Sequence, residues 1–463
     1  MKFLLVIMVI YAGMFSVLVV RNHQLYQTFG WDLGFFDQLL WQASRGNFNF
    51  VSTIGDINIL GDHFQPIIYL LAPLYWFWDD VRIILIAQVL LITAAAVPLY
   101  LLAKKKIGRQ LVAIAIAVAY LLFSGTQFTI TNEFHQSAFI PILLSLGLWW
   151  MEIGQTGRGL AALFSLLLVR EEMGLLLGAI GTMYWVGKGP DFLKKSGPLL
   201  TIGGVVGFLL LIKIVIPSVS SQGKYIHYGY GSFGNKPEDV LISAIKNPGG
   251  IVTSLISPPV KVTQVFQSLA SFGGLPLLSP SSLIPVVEQY AVRFLDDRNI
   301  HRWINNSHYS VPLGPLLAYV TIMVFGRFGT FRGRFRTFYL IVASITAAIV
   351  LKTPIWSVFK PQLYFTTQWV EDADRLVAAV PAGVGVTANN SLAPHLTHRD
   401  KLYLLPEVGD AEYIAVDLAD GPNKFAPWPY QKMREYIYRL VGSGNWVIQQ
   451  RFGESILIRR ISE

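Results

Sequence analysis

The chain has 463 residues, 53% hydrophobic and only 14% charged, and its 37 lysines and arginines outnumber 28 acids for a net charge of +9. A soluble domain carries about 25% charged residues, so this composition, with a mean hydropathy of +0.48, excludes a soluble enzyme on a single anchor and implies a polytopic membrane protein. The absence of cysteine excludes disulfides, thiolate metal sites and cysteine nucleophiles. The basic excess sits largely in short loops, where it sets orientation rather than binding nucleic acid.

Residues 3–20 (FLLVIMVIYAGMFSVLVV) form an apolar run of roughly spanning length. A signal-peptide core is shorter and precedes a small-residue cleavage site, so the run reads as a retained helix. The loop 21–80 follows and contains FGWDLGFFDQLLWQ, with Asp32 and Asp37. Asp32 directly precedes a helical pattern, so a helix cap competes with a functional role. Asp37 lies about 140° further around a regular helix, on another face. GDHFQP then supplies Asp62 and His63, and FQPIIYLLAPLYWFW (64–78), with two prolines among aromatics, suits an interfacial or re-entrant element.

The apolar run 81–103 ends in Lys104, Lys105, Lys106 and Arg109. Helices are expected at 110–123, 137–151, 159–169, 173–187 and 197–217. NEFH places Glu133 and His135 in the second loop. Arg170, Glu171 and Glu172 divide 159–187, and three ionisable groups at the bilayer centre would each cost roughly 2.5–3.5 kcal/mol. A broken hairpin that turns near the membrane surface avoids that cost. The stretch 218–310 is polar and rich in Gly, Pro and Ser; the runs 311–326 and 337–351 flank Arg327, Arg332, Arg334 and Arg336. With both basic clusters cytoplasmic, about nine helices result, the N-terminus is inside, and 21–80, 218–310 and 362–463 are extracytoplasmic. The fold class expected is thus a polytopic α-helical membrane protein, residues 1–361, with a small α/β domain over 362–463. In that domain WVEDADRLVAAV and QKMREYIYRLV read as helices, GVGVTA and EYIAVDL as strands, and WVIQQRF with SILIRRI as a hairpin.

One membrane face therefore collects Asp32, Asp37, Asp62, His63, Glu133, His135, Arg170 and Glu171. Turns, caps and local ion pairs are the competing roles for each, and no spacing matches a specific metal motif. APHLTHRDKLYLLP adds His395, His398, Arg399 and Asp400. A solvated loop on a small sheet competes there with an edge that covers the membrane site.

The motifs DLGFFDQLLW, GDHFQPIIYLLAPLY, NEFH, VREEMG and NNSLAPHLTHR resemble the domain of unknown function 2079 family of prokaryotic membrane proteins over nearly the whole chain. The order of helix 1, an acid-bearing loop and a proline-containing segment is also similar to the GT-C superfamily of glycosyltransferases. That resemblance implies a sugar carried on polyprenyl phosphate, passed at the extracytoplasmic face to a glycan, lipid or protein acceptor. Asp32 matches the loop acid and His63–Pro66 the proline segment; Leu33 stands where many relatives carry a second acid, and Pro66 is alone where they have a pair. On this reading Asp32 and Asp37 are the candidate catalytic acids, with Asp32 the base. Asp62, His63, Glu133, His135, Arg170, Glu171, His395 and Arg399 are the candidate substrate-binding residues. Arg170, or a divalent metal ion held by carboxylates with His63 or His135, would stabilise the phosphate. A transporter or flippase of lipid-linked substrates, and a non-catalytic glycan-binding protein, are the alternatives.

Overall fold

The computed structural model describes residues 1–48, 50–297, 299–328, 333–419 and 428–461. Arg332 of the second basic cluster lies outside the described residues, as does the side chain of Arg334. Four helical stretches are long and apolar enough to cross a membrane: Lys2–Gln24, Arg82–Ile107, Asp191–Val219 and His308–Phe328. Gln110–Leu122 and Ser124–Thr131, bent by 49°, make a fifth if they count as one span. Thr156–Leu168, Met173–Val186 and Phe335–Val350 are apolar but shorter. By length and composition the described residues therefore give four or five spans, against the nine expected.

The first helix shows why such a segment suits lipid. Leu4, Tyr11, Phe15 and Leu18 are buried against the bundle, whereas Phe3, Val6, Val9 and Ile10 are exposed. Apolar surface facing outward is stable in hydrocarbon and costly in water. The chain breaks where charge interrupts hydropathy: between Leu168 and Met173 the helix stops, and Arg170–Glu172 occupy the turn. Met173–Val186 then packs along Asp191–Leu210 at close range. A Cβ added to Gly174 would lie 2.5 Å from the Gly204 carbonyl oxygen, and one at Gly181 would lie 2.5 Å from the Thr201 nitrogen. Small residues at these spacings let two helix backbones touch inside a membrane.

The loops at one end of the bundle carry a two-residue ladder, β1 (Val51–Ser52) with β2 (Ile57–Asn58), and the 3₁₀ helix Pro66–Trp76. The same end carries the C-terminal sheet. Strands β3 (Val386–Ala388), β4 (Leu402–Leu404), β5 (Tyr413–Asp417), β6 (Trp446–Phe452) and β7 (Ser455–Arg460) run in the order β4-β3-β5-β7-β6. β3 pairs in parallel with β4 and β5, while β7 pairs antiparallel with β5 and β6. The helices expected from WVEDADRLVAAV and QKMREYIYRLV are Gln368–Ala379 and Tyr430–Gly442. β4 lies in a stretch with no strand expectation, being only three residues of LYL.

One sheet face packs Ile414, Val416, Ile456 and Ile458 against Met433 and Ile437. The other face, with Val386, Ala388 and Leu376, belongs to the same core as the membrane helices. The first loop is stitched to the sheet edge, where Thr53 Oγ1 donates to the Leu402 carbonyl (2.8 Å) and accepts from its N–H (3.0 Å).

Candidate active site at the loop end of the bundle

Asp32 sits in a π-helical turn, Gly30–Gly34, that precedes the helix Phe35–Ser44. Asp32 does not cap this turn. Its start, Phe29, has no side-chain cap, and the acceptor comes from Glu133, whose Oε2 takes the N–H groups of Phe29 (2.9 Å) and Leu33 (3.1 Å). Glu133 is in turn fixed from below. Gln88, buried in the span Arg82–Ile107, donates to the carbonyls of Thr129 (3.1 Å) and Glu133 and accepts from the His135 N–H (2.9 Å). The turn is also held from the sheet, because Gly30 N–H donates to Asn390 Oδ1 at 2.9 Å. A Cβ at Gly30 would meet the Leu404 side-chain end at 2.7 Å and the Ala393 Cβ at 3.0 Å, so glycine lets the sheet side chains pack this close without shifting.

These supports leave the Asp32 side chain 49% exposed and 3.4 Å from His135 Nε2. Asp32, Asp62, His63, His135, Arg170, His308 and Tyr309 line one cavity of about 310 Å³. Its far wall is a buried charge network. His63 Nδ1 lies 2.6 Å from Glu171, which also accepts from Tyr225 (2.9 Å) and the Phe64 N–H (3.2 Å). Arg170 Nη2 lies 3.2 Å from His63 Nε2. Arginine only donates, so Nε2 holds the lone pair and Nδ1–H points at Glu171. Asn58 caps the short helix before Asp62, accepting from Leu60 N–H at 2.9 Å. It thereby sets Asp62, which pairs with His227 at 2.6 Å.

Electrostatics separate the acids. Burial opposes charge on Asp32, but His135 outweighs it and holds the carboxyl below the ordinary range. Burial, then the Asp32 charge, pushes Glu133 well above its ordinary value. The two carboxyls are thus pushed in opposite directions, as expected where two acids share a site. Burial also opposes charge on Glu171, yet His63 and Arg170 keep it well below the usual carboxylate range. Burial, with the nearby Arg170 charge, lowers His63 against the opposing pull of Glu171.

A family model described as "Predicted membrane protein (DUF2079)" matches residues 22–456. The chain belongs to the DUF2079 family. No curated protein matches the sequence. Among solved structures, the fold is similar to the crystal structure of ArnT from Cupriavidus metallidurans bound to undecaprenyl phosphate, with TM-score 0.57 and 10% identity. That match covers 99% of this chain and 98% of that one. The apo form of the same protein gives TM-score 0.53 over the same shares. The likeness of fold to that structure therefore extends over nearly the whole chain.

Not every candidate of this DUF2079 chain joins the cavity. Asp37 is fully buried elsewhere, accepting from the hydroxyls of Tyr75 and Thr397, with His398 Nε2 at 3.3 Å. His395 stacks between His23 (centroids 4.0 Å) and Tyr26 (4.1 Å). Arg399 donates to the carbonyls of Leu396 (2.6 Å) and Val384 (3.1 Å), and burial pushes its guanidinium down to about 10. Asp37 and His395 thus join the sheet domain to the membrane part, whereas the Arg399 side chain bonds within the sheet domain. Conversely, His227, His308, Tyr309 and Tyr225 were missed. Three of them sit in histidine-tyrosine dipeptides, IHYGY and SHYS, within the polar loop 218–310. Aromatic-histidine pairs in an otherwise small-residue loop were the available signal.

Proposed function

We propose that the chain is a GT-C-type glycosyltransferase that moves a sugar from a polyprenyl-phosphate lipid to an acceptor hydroxyl at the extracytoplasmic face of the plasma membrane. The observation that carries this reading is the half-exposed, ionised Asp32 carboxylate sharing one cavity with the buried Arg170 guanidinium. The fold likeness to ArnT, solved with undecaprenyl phosphate, supports the donor class.

In the proposed step the acceptor oxygen attacks the anomeric carbon of the sugar while Asp32 takes the acceptor proton. The bond between the anomeric carbon and the phosphate oxygen breaks, and polyprenyl phosphate leaves with the electron pair. Arg170 stabilises the charge that develops there, and its ion pair with Glu172, with the Glu171 charge nearby, keeps it fixed. His135 orients Asp32.

The residues also fit a divalent cation. Asp62, His63 and His227 each present one ligand atom, all within 4.8 Å of one another. The Glu171 bond to His63 Nδ1 is the usual second-shell arrangement of a ligating histidine, and a cation at Nε2 would take the lone pair that Arg170 Nη2 meets at 3.2 Å. A cation bound there would add positive charge beside the departing phosphate. His135 is instead committed to Asp32.

The basic clusters Lys104–Arg109 and Arg327–Arg336 support an orientation with the cavity and the C-terminal sheet outside. A C-terminal alkaline phosphatase fusion is then active, and an inactive fusion would overturn the orientation. The activity itself is tested with membranes containing the chain, a polyprenyl-phosphate-linked sugar series and labelled acceptors. Transfer that requires Asp32 supports the reading; flipping of the lipid-linked sugar without transfer would replace it with transport.

A further inference from the structure

A second cavity, of about 460 Å³, lies where the first helix ends. Its walls are Leu18, Asn22, Leu25 and Gln27 of that helix and its exit, Phe128 and Thr131 of the bent helix Ser124–Thr131, and Lys352, Pro354, Ser357, Lys360, Gln362 and Leu363 of the connector to the sheet domain. It shares no lining residue with the Asp32 cavity. The lining is amphiphilic by position. Leu18, Leu25, Pro354 and Leu363 are buried apolar floor, while Gln27, Lys352, Lys360 and Gln362 are exposed rim. No carboxylate lines it, and neither lysine makes an ion pair among the described residues.

The surroundings locate this cavity at a membrane boundary. Leu18 sits within the spanning helix and Gln27 beyond its last turn. Ile349 and Val350, just before Lys352, are exposed and apolar, and Trp356, Phe359, Tyr364 and Phe365 are exposed on the connector. Aromatics interleaved with lysines at the end of apolar helices mark the headgroup level of a bilayer. The geometry is also held rather than incidental. Gln127, buried, accepts from the Ile355 N–H at 3.0 Å, and Arg21 donates to the Leu363 carbonyl at 3.0 Å. Lys352 has φ of +48°, a left-handed backbone uncommon outside glycine, asparagine and aspartate. That conformation ends the helix Gly333–Val350, with the Thr353 N–H closing on the Ala348 carbonyl at 3.1 Å, and so fixes where the lysine leaves the backbone.

We propose that this cavity binds the phosphate headgroup of an anionic membrane lipid, with Lys352 and Lys360 as the cationic partners and Asn22, Gln27, Thr131, Ser357 and Gln362 as neutral hydrogen-bonding groups. The apolar floor and the exposed Ile349 and Val350 receive the first acyl carbons. A soluble anion would have no use for that floor. This site stands apart from the proposed glycosyl transfer and is read out by binding.

The test uses the purified full chain in neutral detergent. Thermal midpoint and native mass spectrometry are followed while phosphatidylglycerol, phosphatidylcholine or inorganic phosphate is added. Phosphatidylglycerol should raise the midpoint and remain bound, and the other two should not. Lys352→Asn with Lys360→Gln, asparagine being tolerant of positive φ, should raise the half-saturating lipid concentration roughly 30-fold, the effect of two lysines near an anionic surface. Gln27→Glu, a rim change that removes no contact of the fold, should weaken binding in the same direction. Lys194→Gln with Lys195→Gln, exposed lysines on another helix, should leave it unchanged. Equal stabilisation by phosphatidylcholine, the full effect from inorganic phosphate, or unchanged affinity in the Lys352/Lys360 variant would overturn the proposal.

Discussion

Asp32 and Asp37 lie five residues apart on one turn-and-helix segment, yet their surroundings are opposite. Asp32 is 49% exposed at the side chain, touches one histidine and opens on a cavity with a buried arginine. Asp37 is fully buried and saturated by Tyr75, Thr397 and His398. A reacting group needs open valence toward a ligand and a fixed backbone beneath it. Asp32 has both, since Glu133 and Asn390 take the turn's N–H groups and leave its own oxygens free of that task. Asp37 has its oxygens committed to bonds that join the first loop to the sheet domain. The same residue type, in one short stretch, is thus open to a ligand at one position and committed to cohesion at the other.

The sharpest way to break this comparison is to neutralise each acid in turn. Asp32→Asn should lower glycosyl transfer by about 10²–10⁴, the usual cost of losing a general base, with an unchanged thermal midpoint. Asp37→Asn should lower it far less. Equal losses from the two variants, at equal stability, would end the distinction.

Removing the Asp37 acceptor altogether is the next largest effect. Asp37→Leu leaves two buried hydroxyls and an imidazole without their carboxylate, and breaking such a buried charged network costs roughly 3–5 kcal/mol. Unfolding in detergent should occur at a markedly lower temperature, and proteolysis should release the sheet domain first. Asp32→Leu, at the open position, should change the midpoint little.

The cohesive region should also respond to pH. His398 lies between Asp37 (3.3 Å) and Asp79 (3.1 Å); burial works against its charge, but the carboxylates prevail and raise its pKa above 6.5. A raised histidine contributes stability that is complete below the unfolded value and is lost as pH climbs through the folded one. The midpoint should therefore fall on raising pH through and above 6.5. His398→Gln should flatten that slope, and a slope of opposite sign would discard the bridge.

The smallest expected effect is at Glu133. Burial and Asp32 push it well above its ordinary value, and Glu133→Gln keeps an acceptor for Phe29 and Leu33. Transfer should change less than about tenfold, within the net value of one hydrogen bond. A loss as large as that of Asp32→Asn would make Glu133, not Asp32, the proton acceptor.

How much of this was legible beforehand differs by residue. Asp32, His63, His135 and Arg170 stood out because acids, histidines and an arginine at the edges of apolar runs are costly unless used, and the structure gathers them around one cavity. Glu133 was recognised but not its task, because a side chain that caps a turn 100 residues away leaves no local pattern. Asp37 and His395 looked like site residues for the same reason Asp32 did: composition marks a polar group as unusual without saying whether its partner is a ligand or another part of the chain. His227 escaped notice because its partner, Asp62, is 165 residues away.

By itself the sequence determined a membrane protein built of apolar helices with a mixed α/β tail, since hydropathy and strand or helix periodicity are properties of contiguous residues. It also determined where apolar runs must stop, at Arg170–Glu172 and at the lysine cluster 104–106, because charge cannot enter hydrocarbon cheaply, although the helix itself carries the lysines and ends at Ile107. Only the tertiary structure decided which polar groups meet. Asp32 with His135, His63 with Glu171, and Asp37 with His398 are pairings across separate elements. Each depends on helix packing, on the glycine-permitted approach of the sheet at Gly30 and on buried bonds such as that of Gln88. Those are long-range distances, and no local pattern of residues encodes them.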